Sequence, residues 1–467
     1  MKKFALLSLA ALLAVAPTAF AQGKDGKQPE FGSQKTTVQH PDWVSNATIY
    51  EANLRQGSET RNLKGMQQHL PRLKDLGVDI IWHMPIHPIS QLNKKGELGS
   101  YYAVQDYKKV NPEFGNMLDL QEFVRTAHDL GMYVILDEVC NHTGCDNAWV
   151  KEHPEYYKRD KEGNFVSPYD WTDTYQLDYS NPELRAAMKD ALKFWVQEAD
   201  IDGYRCDVAG MVPVDFWNEA RKELDEIKPV FMLAEATSPE LTLNAFDADY
   251  NWPMKDLFHA IAATQGVNQY AIDHKQSLPK KCAKDIIRLY EQQRKEYPQG
   301  AINMNMVTNH DLNSWEGTEM ERYGQGLAAF ASLSYLLPGM PMMYTGQEVG
   351  MDHALEFFKY DQVPDYTAND YTAFYEMLNA LKKNHQALDA TNPESEFRAI
   401  PMGNDNIIAF ERKTPSDVVV YIANLSDKEA DYKADKSLNI KNMTEYFTGA
   451  KKLPKKLGPW DFFIFTK

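Results

Sequence analysis

Arg205 and Asp207 stand two residues apart in the short run 203–207. On a β-strand that spacing turns both side chains to one face and sends Cys206 to the other, where it reads as packing. A guanidinium beside a carboxylate stabilises its charged form, so Asp207 is expected to stay ionised, as an attacking carboxylate must. Glu235 closes a second apolar run, 230–234, where burial should raise its pKa and keep its proton in place. One bare and one protonated carboxyl across a shared cleft can cleave a glycosidic bond: the first attacks the anomeric carbon, the second protonates the leaving oxygen. Asp311, following the run 302–309, adds a third carboxylate able to hold sugar hydroxyls and steady a positively charged transition state. Taken singly, each carboxylate is explained as well by a satisfied polar group at a strand end. His142 and His310 each read as well as core hydrogen-bonders, and Tyr102, Trp171 and Trp315 as core aromatics. Their joint occurrence at the ends of apolar runs is what points to chemistry.

Such residues need a scaffold that gathers strand ends around one mouth. Short apolar runs at 49–53, 78–84, 133–137, 203–207, 230–235, 302–309 and 342–345 alternate with longer amphipathic stretches. Two of these stretches, 118–130 and 182–199, have helical periodicity, and the second has Asn181 as a cap and Pro182 in its first turn. An eighth run at 245–250 is fainter. Strand then helix, repeated, predicts an α/β chain folded as a closed parallel (β/α)8 TIM barrel, in which functional groups sit at the C-terminal strand ends. No Gly-rich loop follows the first strand, which argues against an open nucleotide-binding sheet. The stretch 142–179, crowded with Trp, Tyr, Asp, Pro and Gly, predicts a small inserted subdomain after strand 3, placed over that mouth. After residue 385 alternating strands predict a C-terminal all-β domain. The expected organisation is a signal peptide (1–21), a flexible leader (22–42), the barrel (43–384) with its insertion (142–179), and the β domain (385–467).

Sixty-six Asp and Glu against fifty Lys and Arg leave a formal charge of −16 over 467 residues, a field that repels nucleic-acid backbones and anionic lipid. Neither nucleic acid nor a membrane is expected as a partner. Lys2 and Lys3, the apolar run 4–16 and the small-x-small triplet Ala19, Phe20, Ala21 form the layout of a secretory signal cleaved after Ala21, so the mature chain is expected in the periplasm or outside the cell. Four cysteines are too few for a disulfide framework; at most Cys140 could bridge Cys145.

In order along the chain stand LDEVCNH (136–142), GYRCDVA (203–209), LAEA (233–236), TNHD (308–311) and PGMPMMYTGQEVG (338–350). With these motifs the sequence resembles the α-amylase family of glycoside hydrolases, family 13, over nearly the whole mature chain. The resemblance implies a retaining hydrolase of α-1,4-glucosidic bonds in starch-derived glucans or maltooligosaccharides, working through a covalent glycosyl-enzyme intermediate. It implies Asp207 as nucleophile, Glu235 as acid/base and Asp311 as transition-state stabiliser. Arg205, His142 and His310 would bind the cleaved sugar, and Tyr102, in SYYAVQDY, would stack beneath it. A retaining mechanism places the two working carboxyls about 5 to 5.5 Å apart.

The chain also departs from the family pattern. Gly210 and Met211 stand where many members carry Lys-His, which alters the contacts beyond the cleaved bond. Asn141 occupies the position of a calcium ligand, but in TYQLD Gln176 stands where a ligating Asp is common. That weakens the calcium site, and neither a metal ligand nor a required cofactor is expected. An exo-acting α-glucosidase or a glucanotransferase is possible on the same scaffold. A non-catalytic glucan-binding homologue would usually have lost one of the three carboxylates.

Overall fold

The computed structural model describes residues 30–467. The expected signal segment and residues 22–29 of the leader lie outside the described residues. Eight parallel strands close into a barrel in simple sequential order: β1 (Ile49–Ala52), β2 (Ile80–His83), β3 (Tyr133–Glu138), β4 (Gly203–Cys206), β5 (Phe231–Ala234), β6 (Ala248–Tyr250), β7 (Ile302–Asn305) and β8 (Met340–Tyr344), with β8 pairing back to β1. The strands are buried on both sides, and their residues alternate between two cores. Ile49, Ile80, Ile135, Phe231, Met304 and Met342 fill the interior. Tyr50, Ile81, Val134, Tyr204, Cys206 and Met232 face outward into the larger core beneath the helices. Gly203 is required where it stands: at φ +146°, a Cβ there would lie 1.9 Å from the Phe231 carbonyl oxygen of the neighbouring strand.

The faint eighth run is β6, a full member of the barrel although only three residues long. Both expected helices form, as α1 (Met117–Asp129) and α2 (Pro182–Ala199), and the Asn181 side chain accepts from the Glu183 and Leu184 N–H groups. Strand β7, however, stops at Asn305 and does not run on to 309. Asn309 instead caps a helix, α3 (His310–Trp315), its side chain accepting from Leu312 N–H at 2.8 Å. His310 and Asp311 are therefore first-turn helical residues, and their directions are set by the cap.

After β3 the chain makes a two-stranded antiparallel ladder, His142–Gly144 against Thr174–Gln176, above the C-terminal mouth. Beyond the helix Asp370–Asn384, five antiparallel strands form a second sheet: β9 (Glu396–Ala399), β10 (Ile407–Lys413), β11 (Val418–Asn424), β12 (Thr444–Glu445) and β13 (Phe462–Thr466). It is joined to the barrel by packing and by the Tyr421 hydroxyl, which donates to the Ala329 carbonyl at 2.9 Å.

Two further expectations need correction. Residues 31–40 are not a free leader: Phe31, Thr36 and Thr37 donate backbone hydrogen bonds to Glu296, Gln299 and Leu243, and His40 pairs with buried Asp247 at 2.7 Å. A polar sequence is anchored here because its backbone finds partners at the base of the barrel. Cys140 and Cys145 are both free thiols. Cys140 belongs to the outer core beside Cys206, whereas Cys145 lies on the insertion near the Thr172 carbonyl. Among the described residues no helix is long and apolar enough to cross a membrane.

Candidate active site

The inward alternation that packs the barrel also delivers its charges. Glu51 follows Ile49 by two on β1, Asp137 follows Ile135 on β3, and Arg205 follows Gly203 on β4, so all three point into the top of the barrel. Arg205 is fully buried and is the centre of the cluster. Its Nη1 donates to both oxygens of Asp137 at 2.9 and 3.1 Å and to Asp207 Oδ1 at 3.1 Å. Its Nη2 lies 3.0 Å from Glu235 Oε2, and its Nε donates to the Tyr250 hydroxyl at 3.2 Å. Trp82 and Tyr250 lie beneath the guanidinium, with ring centroids 5.1 and 5.6 Å from Cζ.

Asp207 and Glu235 are thus brought together by one cation. A second link fixes them: the Val208 N–H, next to Asp207, donates to Glu235 Oε2 at 2.7 Å. Val208 adopts φ +36° and ψ +45°, a left-handed conformation that a β-branched residue rarely tolerates. Strain of this kind, roughly 1–3 kcal/mol, persists where surrounding structure imposes it, commonly at working sites.

On the opposite rim, Tyr102 donates from its hydroxyl to Asp137 Oδ2 at 3.1 Å and lies 2.9 Å from His310 Nε2. The Tyr102 and His310 rings are nearly parallel at 5.4 Å. Glu51 holds His310 from behind, with Oε1 2.5 Å from Nδ1 and Oε2 accepting the His310 backbone N–H at 3.2 Å. Asp311 Oδ1 is 3.3 Å from His310 Nε2. His142 opens the insertion's ladder, its ring 5.3 Å from that of Trp171. All seven residues singled out from the sequence therefore line one mouth. Glu51, which fixes His310, was not among them, and neither was the role of Asp137. The available signal was a charged residue at an inward position of a buried strand.

Protonation follows from the geometry. Burial raises Glu235 to about 7, against the attraction of Arg205 and with repulsion from Asp207 and Asp311. Asp207 does not remain at an ordinary carboxylate value: burial raises it to about 6, and the same happens to Asp137. Arg205 pulls both down but divides its charge among three carboxyls, so it only partly offsets desolvation. For His310, burial disfavours the cation, but the charges of Asp311 and Glu51 and the hydrogen bond to Glu51 override it and hold the ring at about 9. Burial lowers His142 to about 4, with a hydrogen bond to the Tyr102 backbone working the other way, so that ring is neutral at pH 7.

The position a family calcium ion would take offers a poor donor set. Asn141 Nδ2 faces His142 Nδ1 at 3.2 Å, and Gln176 stands opposite His142 in the ladder. Among the described residues no three His, Cys, Asp or Glu side chains cluster for a metal. Calcium favours several oxygens with carboxylates among them, and the amides Asn141 and Gln176 supply no carboxylate.

A closed parallel barrel with an arginine-centred carboxylate cluster at its C-terminal mouth defines the class. The family model described as alpha amylase, catalytic domain, matches residues 48–175 and 159–406, and the chain belongs to that family. A crystal structure of an α-amylase from Lactobacillus plantarum is similar at 28% identity, with a TM-score of 0.78, covering 91% of this chain and 99% of that one. A maltogenic α-amylase from Thermotoga neapolitana is similar at 28% identity and a TM-score of 0.77, covering 90% and 98%. Alpha-amylase 3 of Dictyoglomus thermophilum is 25% identical over 355 residues, 66% of this chain and 65% of that protein. The chain spans 60 to 65% of the length of this relative, of the α-amylase MalA of Haloarcula japonica and of the maltogenic α-amylase of Bacillus acidopullulyticus.

Proposed function

We propose that the protein hydrolyses α-1,4-glucosidic bonds in starch-derived glucans or maltooligosaccharides with retention of anomeric configuration. The observation that carries this reading is the single guanidinium of Arg205 reaching both Asp207 and Glu235 below the Tyr102, His310 and Asp311 rim. Asp207 attacks the anomeric carbon while the Glu235 carboxyl gives its proton to the departing oxygen. Glu235, now a carboxylate, takes a proton from water, which displaces Asp207 from the sugar. Asp311 and protonated His310 hold sugar hydroxyls, and Tyr102 offers its ring to the sugar face.

Between about pH 6 and pH 7 the pair carries one proton, held mainly by Glu235. That is the state the first step needs. The donor set at Asn141 and Gln176 supports activity without bound calcium. The N-terminal segment 1–21 supports export to the periplasm or the medium. Proton NMR of fresh digests of maltoheptaose tests the reaction: the α-anomer must appear first, and initial release of the β-anomer would refute the nucleophile assignment.

A further inference from the structure

Resting on the glucan-hydrolase reading, we infer that the site is a pocket closed on the non-reducing side of the scissile sugar, so that the enzyme removes short units from chain ends. Around the barrel, β8 lies opposite β4 and β1 opposite β5. Asp207 and Glu235 follow β4 and β5, which places the anomeric carbon and the leaving oxygen on that side. In a 1,4-linked glucan the chain continues toward its non-reducing end from O4, across the ring from the anomeric carbon. The O4 side therefore faces the loops that follow β8 and β1, and the loop after the adjacent β2 is bound to both.

Those loops are fastened into one wall. Arg55, just after β1 and 1% exposed, donates from Nη1 to the Gly99 carbonyl at 3.1 Å and the Phe357 carbonyl at 3.3 Å. Its Nη2 donates to the Leu98 carbonyl at 3.4 Å, and its guanidinium lies 3.9 Å from the Tyr101 ring centroid. The Leu98 N–H donates directly to the Phe358 carbonyl at 3.0 Å. Gly96 meets Phe358 so closely that a Cβ there would lie 2.4 Å from the Phe358 Cβ. Phe357 stands parallel to Tyr102 at 6.5 Å and packs on Trp315, tying the wall to the sugar platform. Trp315, unlike the core aromatic its sequence suggested, is 45% exposed at this edge.

The opposite side is open. Gly210 is exposed, and a Cβ there would meet only Ala236, at 3.5 Å. Asp207 and Glu235 side chains are only 10% and 14% exposed, as at the bottom of a pocket. A chain can leave past Gly210 but not past Phe357.

The test compares three substrates: maltoheptaose, the same oligosaccharide with its non-reducing O4 and O6 tied in a cyclic acetal, and a cyclic α-1,4-glucan, which has no end. The enzyme should cut free maltoheptaose to glucose or maltose from the first turnovers and the other two about a hundredfold more slowly. Cleavage of all three at comparable rates would overturn the closed pocket while leaving the hydrolase reading intact. Cleavage of none would overturn the hydrolase reading and the pocket with it. In Arg55→Met, which keeps the stem over Tyr101 but loses three hydrogen bonds, the blocked-to-free rate ratio should rise about tenfold. Phe358→Ala, which opens the wall at Gly96 without touching Arg55, should raise it likewise. An unchanged ratio in a folded sample of either variant would overturn the role given to this wall.

Discussion

Replacing Arg205 by Gln is the most informative single perturbation, because one guanidinium serves Asp137, Asp207 and Glu235 together. At a charge separation of about 4 Å and an effective dielectric near 20, each carboxylate loses about 4 kcal/mol of attraction, or about three pKa units. Water entering the vacated space reduces this, so a rise of about two to three units is expected. Asp207 starts at about 6 and Glu235 at about 7. At pH 6 the ionised fraction of Asp207 should fall to roughly one part in 10² to 10³, and kcat/KM with it. Below its pKa the nucleophile is protonated and above its pKa the acid is bare, so raising both values moves the entire bell of kcat/KM toward alkaline pH. The assay is kcat/KM for maltoheptaose from pH 4 to pH 10, with Tm recorded, since loss of one partner from a buried ion pair costs about 3–5 kcal/mol. A bell that drops without moving would refute the electrostatic account and leave Arg205 as a positioning group only.

Asp207→Asn should lower turnover by about four orders of magnitude or more while calorimetry still detects maltoheptaose binding; retained turnover would remove the nucleophile. In the unaltered enzyme, kcat/KM should fall below about pH 6 as Asp207 gains a proton and above about pH 7 as Glu235 loses its own, which a pH profile on the same substrate checks. Asn309→Ala removes the cap of α3 and should cost about 1 kcal/mol of stability by denaturant titration. Its kcat should fall as well, because the first turn of α3 aims His310 and Asp311. Chelation with EDTA should leave Tm and activity unchanged, and a drop in Tm reversed by added calcium would show that the Asn141 region holds the ion after all.

The barrel was legible because its strands are short buried runs, and the site because some of those runs turn polar at their last inward position, as β3 does at Asp137 and β4 at Arg205. Seven strands could be read directly, whereas β6 is only Ala248, Asp249 and Tyr250, with a buried Asp in the middle that breaks the apolar signal. The end of β7 was misplaced because Val307 and Thr308 extend the β-branched pattern, while Asn309, a helix cap, looks the same in sequence as a polar residue on a strand. Arg205 and Asp207 were correctly placed on one face by their spacing. The value of about 6 at Asp207 was not foreseeable from that spacing, since it depends on how many carboxyls share the arginine. Asp137 and Glu235 reach it from strands 68 and 30 residues away in opposite directions. Glu51 was missed for a similar reason: its partner is a histidine 259 residues distant.

The left-handed peptide at Val208 has a consequence for anyone hardening this protein against heat. Glycine there would relax the backbone, so a library sorted only for survival at high temperature should enrich Val208→Gly. The same relaxation would free the amide that steadies Glu235, so a library sorted for product formed per second should discard it. At this one peptide, endurance and speed draw selection in opposite directions.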